Sequence, residues 1–481
     1  MSKVRKSILL SLGQNYASFV IQFILSILLA RILTPAEIGL YSIAAVLISF
    51  ANSLRDFGIS TYIVQERDLT TDKIQSAFTL TLCTAWILAL TVYLGSHFAA
   101  QFYNQPGVEQ VMHILAINFL LIPFGTVPMA YMYRQMEFRH VAFIKLITNI
   151  TSAATTLALA YLGYSYLSMA WGSVSGIVCT FILIQFLRSK DLPLTPGFKE
   201  LRKVLKYASL SSFITILIDI GQTEADLIMG RVSGMTMVGY FGRASGLIAA
   251  FDTLAMRALL DVASPYFSDQ FRKDHSMKES FERGLSLLSV IAWPFFVNLA
   301  LMAKPIILAL YGKQWEFSII PLQFLCLFTL IKSPFMLMNV FMTSIGKLRQ
   351  NLYQLLMRLP VRTVLILYSA PMGLARVGEA FVISGLIESL TDFTQCRLAF
   401  GLTAQAMFTN MLKSFWITLI TSFPALLLFL IDHRTPGMRP WTEIMICLFA
   451  GSITWLGSLF VFKHPIRQEI LSLLKNRSAN K

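Results

Sequence analysis

Charge is what this chain has least of. Asp, Glu, Lys and Arg make up 14% of its 481 residues, where soluble domains carry about 25%. Hydrophobic residues reach 56% and the mean hydropathy is +0.64. These values exclude an ordinary soluble domain and indicate a polytopic membrane protein. Cysteine is scarce too. Cys83, Cys179, Cys326, Cys396 and Cys447 each lie in an apolar stretch, and none forms a CxxC pair. They read as packing residues, not as disulfides or metal ligands. The six histidines scatter near loops and read as interfacial groups. No GxxxxGK[ST] loop is present, so the chain carries no nucleotide-driven pump of its own. HExxH and GxSxG are absent as well. No cofactor or enzymatic site is expected.

What the chain has in quantity is apolar runs of about 20 residues, the length that crosses a bilayer. Fourteen occur, at roughly 11–30, 36–57, 76–99, 108–130, 140–162, 165–187, 207–231, 236–263, 283–303, 317–342, 350–370, 374–398, 412–431 and 441–462. The basic start MSKVRKSILL leads into a retained first helix, since no small-residue cleavage site follows. With the N-terminus inside, 27 of the 40 Lys and Arg fall in inner loops, 7 in outer loops and 6 within spans. This asymmetry places both termini in the cytoplasm. It also accounts for most of the net charge of +15 without invoking nucleic acid. The remainder suits anionic lipid head groups or an anionic substrate. The outer loops are short, which argues against a membrane polymerase or ligase.

One hairpin, residues 207–263, carries an unusual charge load: Asp219, Glu224, Asp226, Arg243, Asp252, Arg257 and Asp261. Charged groups at bilayer depth cost about 2.5–3.5 kcal/mol each, so these should face protein or a water-filled cavity. The hairpin echoes an earlier one. Ala30-Arg31 and Ile38-Gly39-Leu40-Tyr41 return 200 residues later as Gly230-Arg231 and Val238-Gly239-Tyr240-Phe241. Two related halves are a common plan in secondary transporters. The break between them is RSKDLPLTPGFKELRKVLK (188–206), a linker followed by a basic amphipathic stretch expected to lie on the inner leaflet. Residues 267–282 read as a second interfacial helix. Residues 55–78, rich in charge, read as a solvated loop, with Arg55 and Asp56 as the alternative members of an inner gate. Tyr311 and Trp315 read as an interfacial aromatic belt.

The segments LLARILTPAEIGLYSIA (28–44), FGISTYIVQERDLT (57–70), DLIMGRVSGMTMVGYFGRA (226–244), SPYFSDQ (264–270) and ILALYGKQWEFSIIPLQFL (307–325) together carry a resemblance. The chain resembles the polysaccharide-transporter branch of the multidrug/oligosaccharidyl-lipid/polysaccharide exporter superfamily. It is most similar there to the colanic-acid-type lipid-linked oligosaccharide flippases. The likeness covers roughly residues 8–400. It implies an all-α fold of two pseudo-symmetric six-helix lobes around a central cavity, with two further C-terminal helices. The corresponding division is 1–187, linker 188–206, 207–400 and 401–481. The second copy's turn, Ser233-Gly234-Met235-Thr236, lacks the Pro-Ala-Glu of the first.

The implied function is flipping of an undecaprenyl-diphosphate-linked oligosaccharide across a bacterial inner membrane, for exopolysaccharide, capsule or O-antigen. The diphosphate needs cations, and arginine's planar fork suits it. Candidate contacts are Arg257, Arg243, Lys145, Lys332 and Arg358. Each has a competing role as an ion-pair partner, with Asp219, Glu224, Asp252 or Asp261 as the counter-charge. Arg362 reads as a packing partner. Candidates for ion coupling or gating are Asp219, Glu224, Asp226, Asp252, Arg55 and Asp56, with H+ or Na+ as the coupling ion. Expected partners are the lipid-linked substrate, the bilayer, and a polysaccharide polymerase with chain-length proteins. The alternatives are a multidrug-type cation antiporter of the same superfamily and a membrane polymerase or ligase.

Overall fold

The computed structural model describes residues 3–56, 58–188, 192–256, 276–344, 348–434 and 439–467, with 263, 266, 267, 269, 270 and 273 between them. Among these residues every regular element is helical. The chain forms two compact units, Met1–Gly242 and Arg243–Lys481.

The first unit holds α1 (Lys3–Ile32), α2 (Pro35–Asp56), α3 (Ile59–Gln65), α4 (Thr71–Tyr103), α5 (Pro106–Leu121), α6 (Pro123–Arg134), α7 (Phe138–Tyr161), α8 (Leu167–Leu187) and α9 (Leu201–Val232). α7 packs on α1 and α8, α4 on α5, and α9 on α2 and α4. Helix α10 (Met235–Phe251) begins in this unit and widens into a π-turn at Asp252–Met256. The second unit holds α11 (Met277–Leu301), α12 (Ala303–Leu310), α13 (Ile319–Lys332), α14 (Met338–Ser344), α15 (Leu348–Ser369), α16 (Leu374–Phe400), α17 (Ala404–Arg434) and α18 (Pro440–Val461). α11 packs on α13 and α17, and α16 on α13 and α15.

Among the described residues ten helices are long and apolar enough to cross a membrane, and the bent pair α5–α6 makes eleven. The three other expected spans are helical in their described residues. α9 and α16 carry charge through their middles, and α10 reaches 17 residues before the π-turn.

The start of α2 shows how sequence sets a helix end. Thr34 Oγ1 accepts from Glu37 N at 3.3 Å, and Glu37 Oε2 accepts from Thr34 N at 2.7 Å. This is a reciprocal cap, with Pro35 at the first helical position where no donor is needed. α10 starts without it, behind Gly234 at φ +87°.

Residues 195–200 of the linker are docked on α4. Thr79 Oγ1 accepts from Gly197 N (2.8 Å) and donates to Gly197 O (2.9 Å), Gln75 donates to Thr195 Oγ1 (2.7 Å), and Glu200 N donates to Ser76 Oγ (3.1 Å). The expected separate amphipathic helix is instead the first part of α9, because no breaker interrupts residues 201–232. Likewise residues 277–282 open α11, while most of 267–276 lies outside the described residues.

Two scattered expectations change. Cys83 is exposed, on the unpacked face of α4. His464, beyond α18, is buried: its Nε2 lies 3.1 Å from Ser286 Oγ and 3.4 Å from Ser414 Oγ. Burial, and then the nearby charge of Lys413, push its pKa down to about 4.

Candidate functional site

The site is built where α2 ends. Arg55 stands in the last turn of α2. In the next helix, α3, Ile59, Tyr62 and Ile63 are buried in a cluster with Ile74, Phe78 and Val127. Arg134, the last residue of α6, holds this segment by donating to the carbonyls of Ile63 (2.9 Å), Glu66 (2.5 Å) and Arg67 (3.2 Å). Carbonyls at a helix end lack helical donors, and a guanidinium fork supplies several at once. Lys73 pairs with Glu66 at 2.5 Å. The expected solvated loop is therefore, in its first half, a docked apolar helix.

Beside α3 lies a cavity of about 320 Å³. The α5–α6 bend shapes one wall. Pro123 offers no N–H to the carbonyl one turn back, and the two helices diverge by 51°. Leu121 and Ile122, at the bend, line the opening. Its polar wall comprises Arg55, Ser60, Thr126, Tyr133 and Thr180. Among the described residues no carboxylate lines it, so the cavity favours an anion. The Lys145 ammonium sits 5.4 Å from the centroid of the Tyr133 ring, within cation–π range.

The other end of α2 is closed. Gly39 lies sixteen residues before Arg55, about 24 Å away along the helix. A Cβ there would stand 1.8 Å from the Met235 carbonyl oxygen. A Cβ on Gly239 would stand 2.0 Å from the Pro35 carbonyl oxygen. The two glycines of the repeated motif thus let α2 and α10 cross backbone to backbone. Gly230 plays a similar part against Ile43, whose Cδ1 would be 2.5 Å from an added Cβ.

The remaining candidates are dispersed. Arg243 lies over two rings, 5.4 Å from the centroid of Tyr311 and 5.1 Å from that of Trp315. Those rings are 2% and 0% exposed, so they form a buried seat for Arg243 and not an interfacial belt. Lys332 pairs with Glu388, Arg358 with Asp392, and Arg362 approaches Glu388 at 3.7 Å. Arg358–Asp392 and Arg362–Glu388 share one antiparallel register across α15 and α16. The counter-charges in this ladder are Glu388 and Asp392, which the sequence reading did not single out. Their four-residue spacing on a charged span was the available signal.

Among the acids, Asp219 accepts a hydrogen bond from Ser53 of α2. Glu224 is 5% exposed, and Asp226 Oδ1 is buried with no hydrogen-bond partner among the described residues. Asp252 opens the π-turn and is exposed. Arg257, Asp261 and the side chain of Asp56 lie outside the described residues.

The second unit has a cavity of its own, an apolar groove of about 440 Å³ between α11, α12, α18 and the π-turn. Phe251, Leu254, Phe295, Leu299, Leu448 and Trp455 are among its walls.

Bundled helices of membrane-crossing length and composition define a multi-pass membrane protein. The comparisons make this specific. Residues 28–320 match the family model described as "Polysaccharide biosynthesis protein", and the chain belongs to that family. It is 21% identical to an uncharacterized membrane protein in the cps region of Klebsiella pneumoniae, over 98% of each chain. It is 23% identical to the succinoglycan biosynthesis transport protein ExoT of Rhizobium meliloti (strain 1021), over 96% of this chain and 93% of that one. Its fold is similar to that of the lipid II flippase MurJ in an inward closed conformation, with a TM-score of 0.77. That alignment covers 96% of this chain and 100% of that one, at 14% identity.

Proposed function

We propose that the chain is a flippase moving an undecaprenyl-diphosphate-linked oligosaccharide from the inner to the outer leaflet of a bacterial inner membrane. The observation that carries this reading is the contrast along α2. One end borders a cavity with Arg55 and, among the described residues, no acidic wall, and the other is crossed closely by α10 at Gly39 and Gly239. With both termini in the cytoplasm, the cavity opens on the side where the substrate is made, and the crossed end faces outward. Diphosphate would be held by charge-assisted hydrogen bonds from Arg55. The polyprenyl chain, being apolar, suits the bilayer itself. Release requires the glycine crossing to part, giving alternating access. Coupling to a proton or sodium gradient falls to the acids of α9, Asp219, Glu224 and Asp226. The chain acts as a transporter, not an enzyme, and hands its cargo to a polysaccharide polymerase with chain-length proteins.

Vesicles containing the purified protein test this. A fluorescent undecaprenyl-diphosphate-glucose should become reachable by a membrane-impermeant quencher faster than in empty vesicles. Equal protection in both contradicts the reading. Saturable ethidium transport in its place would assign the chain to the cation antiporters.

A further inference from the structure

We propose that Tyr133 is the platform on which the first sugar of the substrate rests, the pyranose bonded directly to the diphosphate. This rests on the flippase reading and adds which wall of the cavity meets which part of the substrate.

The groups of the cargo follow one another in a fixed order. The apolar chain comes first, then two phosphates, then the sugar. If the phosphates lie at Arg55, the sugar is the next group into the same cavity. The cavity offers what a pyranose needs. Its rings of C–H bonds pack on an aromatic face, and its hydroxyls need donors and acceptors. Tyr133 supplies the face, and Ser60, Thr126 and Thr180 supply hydroxyls. Thr126 Oγ1 donates to Ile122 O at 3.1 Å, and Thr180 Oγ1 donates to Gly176 O at 3.0 Å. Thr126 Oγ1 thereby keeps its lone pairs for an incoming sugar hydroxyl, and Thr180 Oγ1, which also lies 2.7 Å from Thr148 Oγ1, keeps one.

The platform is held in place before any ligand arrives. Lys145 sits over the Tyr133 ring at 5.4 Å, and Phe138 packs edge-on at 6.1 Å. A fixed ring loses little freedom on binding. Size limits the occupant. About 320 Å³ is near the small end of ligand pockets, which run about 300–1,000 Å³. The proximal sugar fits such a space, and the rest of the glycan stays outside it. Tyr133 is therefore a specificity-determining residue, and Lys145 a positioning residue that acts through it. The competing account makes Tyr133 an ordinary packing residue between α6 and α7.

Two probes separate these accounts: undecaprenyl diphosphate and undecaprenyl-diphosphate-glucose, each titrated onto the full chain in nanodiscs. The wild type should bind the glucose-bearing lipid about tenfold more tightly than the bare one. Tyr133→Phe should keep most of that preference. Tyr133→Leu, which fills the space without an aromatic face, should erase it by weakening the glucose-bearing lipid far more than the bare one. Arg55→Ala should weaken both. If Tyr133→Leu fails to fold, Thr180→Val provides the second reading and should reduce the preference several-fold. A wild type without preference, or a preference that survives in Tyr133→Leu and Thr180→Val, overturns the inference. A wild type that binds neither lipid overturns the flippase reading instead.

Discussion

The two compact units set their half-buried cations in different surroundings. In the second unit Lys332, Arg358 and Arg362 are met by Glu388 and Asp392 across α13, α15 and α16. In the first, Arg55 borders a cavity that no described carboxylate lines. A cation answered by a carboxylate has its charge neutralised by the fold and braces helices. Arg55 stands on the wall of a cavity of about 320 Å³, where an incoming ligand reaches it. The same residue types thus brace helices in one place and line a cavity in the other.

The largest effect should come from breaking the brace. Asp392→Ala leaves Arg358 buried without its counter-charge and should destabilise the protein by about 3–5 kcal/mol. Arg358→Leu/Asp392→Leu removes both charges and should recover most of that loss. Melting temperatures in one detergent give the comparison. A double variant as unstable as Asp392→Ala would show that the pair does more than balance charge.

A smaller effect belongs to His464, at the far end of the second unit. Its folded pKa is lowered to about 4, below that of a free histidine. The unfolded chain takes up a proton near pH 6.5 and the folded one does not. Its contribution to stability is complete above pH 6.5 and drains away as the pH falls towards 4. The wild type should therefore lose melting temperature across that window more steeply than His464→Gln. Parallel curves would contradict this assignment.

Much of the fold was legible in the sequence. Apolar runs of bilayer length located the spans, because the bilayer imposes a length that composition alone can meet. The 200-residue offset located the α2 and α10 glycines, and their close approach explains why no larger residue stands there. The site was less legible. α3 is seven residues long and flanked by charge, too short for a periodicity to show. The Arg358–Asp392 pair spans 34 residues, and the register of two packed helices, not sequence proximity, brings it together. The cavity depends on the Pro123 bend, whose direction no spacing rule supplies. Tyr311 and Trp315 resembled an interfacial belt because composition cannot tell a headgroup-facing ring from one stacked on a buried Arg243.

The central claim is that Arg55 handles the substrate while the ladder holds the fold. The most direct measurement is the rate at which vesicles flip fluorescent undecaprenyl-diphosphate-glucose, taken for Arg55→Ala and for Arg358→Leu/Asp392→Leu. Arg55→Ala should slow flipping by about tenfold or more at an unchanged melting temperature, and the double variant should flip near the wild-type rate. A wild-type rate in Arg55→Ala, or a folded double variant that no longer flips, would contradict the account.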